Sequence, residues 1–309
     1  MQYLTVGHGG PQASRIVLGC MRIASKPASE VEALIGTALE QGVNHFDHAD
    51  IYGRGESERV FGAALKNLGI DRSRVILQTK CGIRKLPDIG NYYDFSREHI
   101  IGSVDESLSR LGADYVDLLL LHRPDALMDV GEVARAFEDL RAAGKVRRFG
   151  VSNFSVMQCE LLRSAGVEIA ANQLQFSLMH AGLADAGMYV NLAKEEGIER
   201  GGDLLAYCRL QGITPQAWSP LYYGFFEGIF VGNERFPTLN AVLDKLAERY
   251  GATPAAIAFA WILRHPAAWQ VIAGTTNAGR LADLCRAAEI TLTREEWYEL
   301  YLATGKKLP

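Results

Sequence analysis

Asp47, Tyr52, Lys80 and His122 are the side chains of this 309-residue chain whose types and positions could move a proton. Each stands at or just beyond the end of an apolar, strand-like run. Residues 42–46 lead into Phe46-Asp47-His48-Ala49-Asp50-Ile51-Tyr52-Gly53, residues 74–79 end in Lys80, and residues 115–121 end in His122. A tyrosine with its ordinary pKa of about 10 is a weak acid at neutral pH, and a nearby ammonium favours its phenolate. Lys80 is the neighbour expected to pull the Tyr52 pKa down. A buried lysine keeps its proton only with a partner, and Asp47 on the adjacent strand can accept that charge-assisted hydrogen bond. With His122 orienting a carbonyl oxygen, the four would protonate a developing alkoxide and stabilise its charge, as carbonyl reduction requires. Read singly, each residue has a plainer role as a capping or solvated group. Their coincidence at three neighbouring strand ends argues for a site.

Carbonyl reduction needs a hydride, which no side chain supplies. The later strand ends carry groups suited to holding a source of one. Ser152 and Asn153 in Gly150-Val151-Ser152-Asn153-Phe154, with Gln173 in Asn172-Gln173-Leu174-Gln175, offer hydroxyl and amide groups for a carboxamide. Trp218 in Trp218-Ser219-Pro220-Leu221 offers a flat ring to stack on a nicotinamide; it reads equally as core, and Asn153 as a helix cap. Gly274-Thr275-Thr276-Asn277 leads into a helix whose N–H groups and dipole suit a phosphate, and Arg280 adds a bidentate donor. Met21, Arg22 and Arg123 are expected pocket walls. Either arginine suits an anionic substrate or a surface ion pair.

Positioning these groups requires strands at residues 16–19, 43–46, 75–79, 116–121, 149–152, 169–173, 214–218 and 270–273. Helical patterns alternate with them at 29–41, 97–111, 130–143, 204–211 and 254–264, followed by a closing helix at 278–287 and a further one at 293–304. Glycines 42, 69, 112, 144, 166 and 212 stop helices. Eight strands alternating with helices over about 250 residues specify an α/β fold, the (β/α)8 TIM barrel. An open doubly wound sheet fits less well, because no G-x-G-x-x-G follows the first strand. Gly7-His8-Gly9-Gly10 reads as the turn of an N-terminal hairpin closing the barrel's bottom. The whole span 1–309 reads as one domain, with long βα connections at 82–96 and 221–240 shaping the pocket.

Net charge of −4 and a pI near 6.0 argue against nucleic acid as a partner. Cys20, Cys81, Cys159, Cys208 and Cys285 form no C-x-x-C pair, which suits reduced thiols in a cytoplasm. No run of about 18 apolar residues and no leader-like start appears, so neither a membrane span nor export is expected. The oligomeric state stays open. A metal-dependent barrel hydrolase would draw on His45, Asp47, His48, Asp50 and His122, but the later strands add no further His or Asp; His180 lies beyond strand six and His265 is expected within a helix.

In its strand-end blocks, in their order, the chain resembles the aldo-keto reductases, specifically a bacterial-type oxidoreductase subgroup. The resemblance covers essentially the whole length. It implies Tyr52 as general acid tuned by Lys80 and Asp47, His122 orienting the carbonyl, and Ser152, Asn153 and Gln173 holding the carboxamide. Trp218 stands where many members have Tyr, and His at 122 implies C=O rather than C=C reduction. Arg280 matches the family's arginine for the 2′-phosphate of NADPH, whereas Gly274 stands where strongly NADPH-preferring members often carry Lys. NADPH is therefore the expected cofactor, with NADH open, and a small carbonyl compound the expected substrate. A nicotinamide-binding interaction module without turnover is the alternative within the same fold.

Overall fold

The computed structural model describes residues 1–192, 195–198 and 201–309. Strands β1 (Tyr3–Thr5) and β2 (Gln12–Ser14) form an antiparallel hairpin. The alternation then begins with β3 (Ile16–Gly19), α1 (Ala28–Glu40), β4 (His45–Asp47), α2 (Glu56–Asn67) and β5 (Ile76–Cys81). A second hairpin, β6 (Ile83–Leu86) and β7 (Gly90–Tyr93), precedes α3 (Arg97–Leu111), β8 (Val116–Leu121), α4 (Val130–Ala142) and β9 (Val146–Ser152). There follow α5 (Val156–Ser164), β10 (Ala171–Gln175), α6 (Gly182–Met188), α7 (Leu204–Gln211) and β11 (Thr214–Trp218). The chain ends with α8 (Pro237–Tyr250), α9 (Pro254–Arg264), β12 (Gln270–Ala273), α10 (Ala278–Cys285) and α11 (Arg294–Ala303). Strands β3, β4, β5, β8, β9, β10, β11 and β12 pair in parallel in that order, and β12 returns to β3 to close a (β/α)8 barrel.

Local chemistry sets where these elements start and stop. Ser96 accepts the His99 N–H to begin α3, and Gly112 ends it in the left-handed conformation that costs glycine little. Ser155 with Gln158 and Thr293 with Glu296 form reciprocal capping boxes on α5 and α11. Several strands lie one or two residues away from the apolar runs that announce them. Val43, expected in the second strand, instead sends its N–H to the Ala38 carbonyl and finishes α1, so β4 begins at His45. The sixth strand is likewise shifted from 169–173 to Ala171–Gln175. His265 lies just past α9 in an extended conformation, rather than within the helix, because Pro266 disfavours helical backbone at the preceding residue.

The first hairpin caps the bottom of the barrel, where Val6 and Ala13 join Ile76, Leu118, Leu120 and Ala171 in a buried cluster. A larger apolar layer lies between barrel and helices. Within it Trp269, Phe176, Trp261, Trp297 and Tyr301 stack in succession, with ring centroids 4.5, 5.6, 4.8 and 5.9 Å apart. Trp261 and Trp297 also exchange indole N–H to carbonyl hydrogen bonds of 3.1 Å, fastening α11 to α9. At the opposite end, the loop after β11 is closed by a bridge between Tyr222 and Ile229. Asn240, expected in that loop, lies in α8 and pins it, accepting the Gly232 N–H and donating to the Phe230 and Asn233 carbonyls. Among the described residues no helix is long and apolar enough to cross a membrane.

Candidate active site

Parallel pairing brings Asp47 opposite Gln78, and two residues later β5 points Lys80 towards the same carboxylate. The Lys80 ammonium donates to both Asp47 oxygens at 2.8 Å, to the His48 carbonyl at 2.8 Å and to the Tyr52 hydroxyl at 3.2 Å. Tyr52 reaches it because the chain reverses sharply after β4. Gly53 has a φ of 58°, and a Cβ there would lie 2.6 Å from that of Ala24. The His122 ring meets the Tyr52 ring edge-on, with centroids 5.9 Å apart.

Burial governs the titration of this cluster. It raises the Tyr52 phenol above its ordinary value, outweighing the opposing pull of Lys80. The expectation of a lowered Tyr52 pKa is thus corrected: desolvation, reinforced by the Asp47 charge, wins. Burial works against the Lys80 ammonium, yet Asp47 and Tyr52 together raise its pKa and keep it charged. Burial, followed by Lys80 and Arg123, holds His122 well below 6.5 and therefore neutral.

Tyr52, Asp47 and His122 line a cavity of about 950 Å³ at the C-terminal ends of the strands; Lys80 lies behind Tyr52, fully buried. Ser152, Asn153, Gln173 and Trp218 form the facing wall, and Ser219 and Leu221 continue it. The Trp218 indole donates to Asn153 Oδ1 at 3.1 Å, and the Asn153 amide donates to Ser152 Oγ at 2.8 Å. Asn153 and Ser219 adopt φ values of 61° and 50°, an uncommon conformation that strand ends tolerate where side chains must be re-aimed. Gly274, Thr275, Thr276 and Arg280 line the far end, where Asn277 caps α10 by accepting the Arg280 N–H. Among the described residues the Arg280 guanidinium has no ion-pair partner. Met21, Arg22 and Arg123 also face the cavity. Neither arginine pairs with a carboxylate among the described residues: Arg22 donates to the Tyr222 hydroxyl at 2.7 Å, and Arg123 lies over the rings of Trp218 and Phe225. The hairpin β6–β7 contributes Ile83, Asn91 and Tyr93.

The side chains first weighed as metal ligands have other surroundings. Asp47 is saturated by donors, His45 is buried against Gln270, and His48 packs edge-on against Phe61. Burial lowers both histidines to about 4 and, with Glu58, raises Asp50 to about 7. Among the described residues no three His, Cys, Asp or Glu side chains gather as a ligand set.

Beneath the tetrad lies a polar layer that sequence reading missed. Gln78 donates to Asp47 Oδ1 at 2.5 Å and to Gln216 at 2.9 Å; Gln216 donates back to Gln78 and onward to Gln270, both at 2.9 Å. Gln173 donates to Asp47 at 3.0 Å and to Gln216 at 3.1 Å, so its amide nitrogen serves this layer and only its carbonyl oxygen remains for a ligand. A glutamine on each of four barrel strands was the available signal.

A model of the aldo/keto reductase family matches residues 15–301. The chain is 37% identical to a 6-dehydroglucose reductase of Agrobacterium fabrum, with 96% of each chain covered. It is 36% identical to the oxidoreductase YdhF of Escherichia coli, with 97% of this chain and 96% of that one covered. Among solved structures it resembles a thermostable aldo-keto reductase, Tm1743, determined with the inhibitor epalrestat. The TM-score is 0.79 at 26% identity, covering 98% of this chain and all of the other.

Proposed function

The chain belongs to the aldo/keto reductase family, and we propose that it reduces an aldehyde or ketone to an alcohol with Tyr52 as the proton donor and NADPH as the preferred reductant. The observation that carries this reading is the position of Lys80 between the Asp47 carboxylate and the Tyr52 hydroxyl. Because Lys80 donates to the phenol oxygen, the phenol's own hydrogen is left for a cavity ligand. Its raised pKa keeps that proton in place at neutral pH.

The residues around the cavity fit a nicotinamide dinucleotide. Asn153, Ser152 and the Gln173 carbonyl oxygen would hold the carboxamide, Trp218 would lie against the ring with Ser219 and Leu221 beside it, and Gly274, Thr275 and Thr276 would carry phosphate. Arg280, an exposed cation without an ion pair among the described residues, would take a 2′-phosphate, which favours NADPH over NADH. When bound, the reduced cofactor supplies the hydride that becomes the new C–H bond. Neutral His122 orients the carbonyl oxygen through the ring nitrogen that is not buried, since Nδ1 is enclosed without a partner. As the C=O π bond breaks, its oxygen takes the Tyr52 proton and Lys80 stabilises the phenolate left behind. Met21, Arg22 and Arg123 shape the substrate end. The single barrel acts in the cytoplasm, a location supported by five buried free thiols.

The test is an NADPH-oxidation screen over aldehydes, α-dicarbonyls, keto acids and sugars, including 6-dehydroglucose because of the relative named for it, repeated with NADH. Turnover of at least one class, faster with NADPH, is expected. Tight NADPH binding with no oxidation of any carbonyl would overturn the reading in favour of a binding module.

A further inference from the structure

Gln78, Gln216 and Gln270 are fully buried on three different strands and belong to no part of the tetrad. Their pairing register explains how they meet: Gln173 stands opposite Gln216, Gln216 opposite Gln270, and Gln78 opposite Asp47. Buried amides of this kind cost stability unless their hydrogen-bonding groups are matched.

The matching fixes every amide's orientation from one end. An ionised carboxylate only accepts, so the side of Gln78 facing Asp47 must be its NH2 group. The Gln78 carbonyl is then turned to Gln216, which donates to it and receives the second Gln78 hydrogen in return. The remaining Gln216 hydrogen goes to Gln270, whose own NH2 group meets the Ser14 carbonyl at 2.8 Å and His45 Nδ1 at 3.0 Å. A backbone carbonyl only accepts, and His45 is neutral, so the far end demands the same orientation as the near one. Reversing any one amide would set donor against donor or acceptor against acceptor along the row. The row is therefore consistent with a charged Asp47 and leaves a protonated one with a surplus donor.

We propose that Gln78, held in one orientation by Gln216 and Gln270, is a positioning residue that keeps Asp47 aimed at Lys80, and through them sets the acidity of Tyr52. The proposal rests on the assignment of Tyr52 as the acid. The groups facing the Tyr52 phenol are Lys80 from β5, Asp47 from β4, the Cys20 thiol beyond β3, and His122 and Arg123 beyond β8. A substitution at Gln78 replaces none of them and removes a hydrogen bond from Asp47 alone. In the Gln78→Met variant Asp47 loses a donor, its charge is less spread, and the field that opposes phenolate formation strengthens. The Tyr52 pKa therefore rises.

Three measurements test this. For folded Gln78→Met, kcat should fall by about tenfold with little change in the KM for NADPH, and the alkaline limb of the kcat–pH profile should move upward. Gln78→Glu keeps the shape of the site and places a carboxyl group beside Asp47, where the two must share a proton. It should approach parental turnover at low pH, with its neutral carboxyl donating in place of the amide, and lose turnover as the pH rises and that donor ionises. The third readout needs no turnover: ultraviolet difference titration of the Tyr52 phenol, taken as each protein minus its Tyr52→Phe counterpart, should shift upward in Gln78→Met. Where Gln78→Met yields no folded protein, Gln216→Met, one hydrogen bond farther away, carries the same test with a smaller shift. A folded variant with parental kcat, parental alkaline limb and parental phenol titration overturns the role of Gln78, as does a parental pH profile for Gln78→Glu. If no carbonyl is reduced by the parent, the functional reading fails while the phenol titration still reads Gln78.

Discussion

On the wall built by β4, β5 and β8, the polar groups around Lys80 and Asp47 are buried and saturated: four acceptor atoms surround the Lys80 ammonium, and Asp47 takes donors from Lys80, Gln78 and Gln173. On the wall running from β9 to β12, Asn153 and Ser219 hold uncommon backbone angles, and Arg280 is exposed with no ion pair among the described residues. The first wall completes its electrostatics when the chain folds. The second keeps donors and cations in reserve for something that arrives later. Proton transfer profits from dipoles already fixed before reaction, whereas recognition profits from groups that have not yet been satisfied.

Substitutions on the two walls should therefore differ in kind. Tyr52→Phe removes the acid without touching the opposite wall, so turnover should fall by about 10²- to 10⁴-fold while calorimetry shows NADPH binding nearly unchanged. Parental turnover in that variant would remove Tyr52 from the chemistry. Lys80→Met leaves a buried carboxylate unpaired and should cost about 3–5 kcal/mol in denaturant unfolding, besides abolishing turnover. An unchanged unfolding midpoint would show that the pair does not hold the first wall together. On the second wall the cost should move from folding to binding. Arg280→Ala should leave the melting temperature in place and weaken NADPH by about 10- to 100-fold, the scale of lost charge-assisted hydrogen bonds, while NADH changes little. Equal weakening of both would argue against a 2′-phosphate contact.

The smallest expected effect is a pH dependence seated behind the first wall. His48 is buried neutral, with its pKa lowered to about 4 by desolvation, while the unfolded chain takes up that proton near 6.5. Its contribution is thus fully present above 6.5 and is lost as the pH falls towards 4, amounting to about 1 kcal/mol between pH 7 and 5.5. His48→Leu should flatten the loss over that interval, measured as denaturant midpoints at both pH values. A slope as steep as the parent's would place the acid sensitivity elsewhere.

Strand number and order, and the gathering of Asp47, Tyr52 and His122 with Ser152, Asn153, Gln173, Trp218 and Arg280 around one cavity, were legible because each is announced by local pattern: apolar runs, strand-end polar residues and stop glycines. Strand ends were less legible, since Val43 is apolar enough for a strand yet its N–H closes α1. The direction of the Tyr52 shift was misjudged because a sequence shows that Lys80 is available but not how deeply the phenol is buried. The glutamine layer was hidden for a third reason. A glutamine within a strand ordinarily reads as facing solvent, and only closure of the barrel turns Gln78, Gln173, Gln216 and Gln270 towards one another across 192 residues of chain.

The stacked aromatics between β12 and α11 also divide the chromophores of the protein. Three of its four tryptophans, Trp261, Trp269 and Trp297, belong to that stack, and the Trp261 and Trp297 rings lie 4.8 Å apart and 10° from parallel. Indoles so close and so nearly parallel share their excited states, and the near-ultraviolet circular dichroism of the pair reports whether α11 is docked. Trp218, the only tryptophan lining the cavity, stands outside that coupling. Its emission, taken as the difference between the parent and a Trp218→Phe variant, is an optical channel of its own through which events at the cavity can be followed.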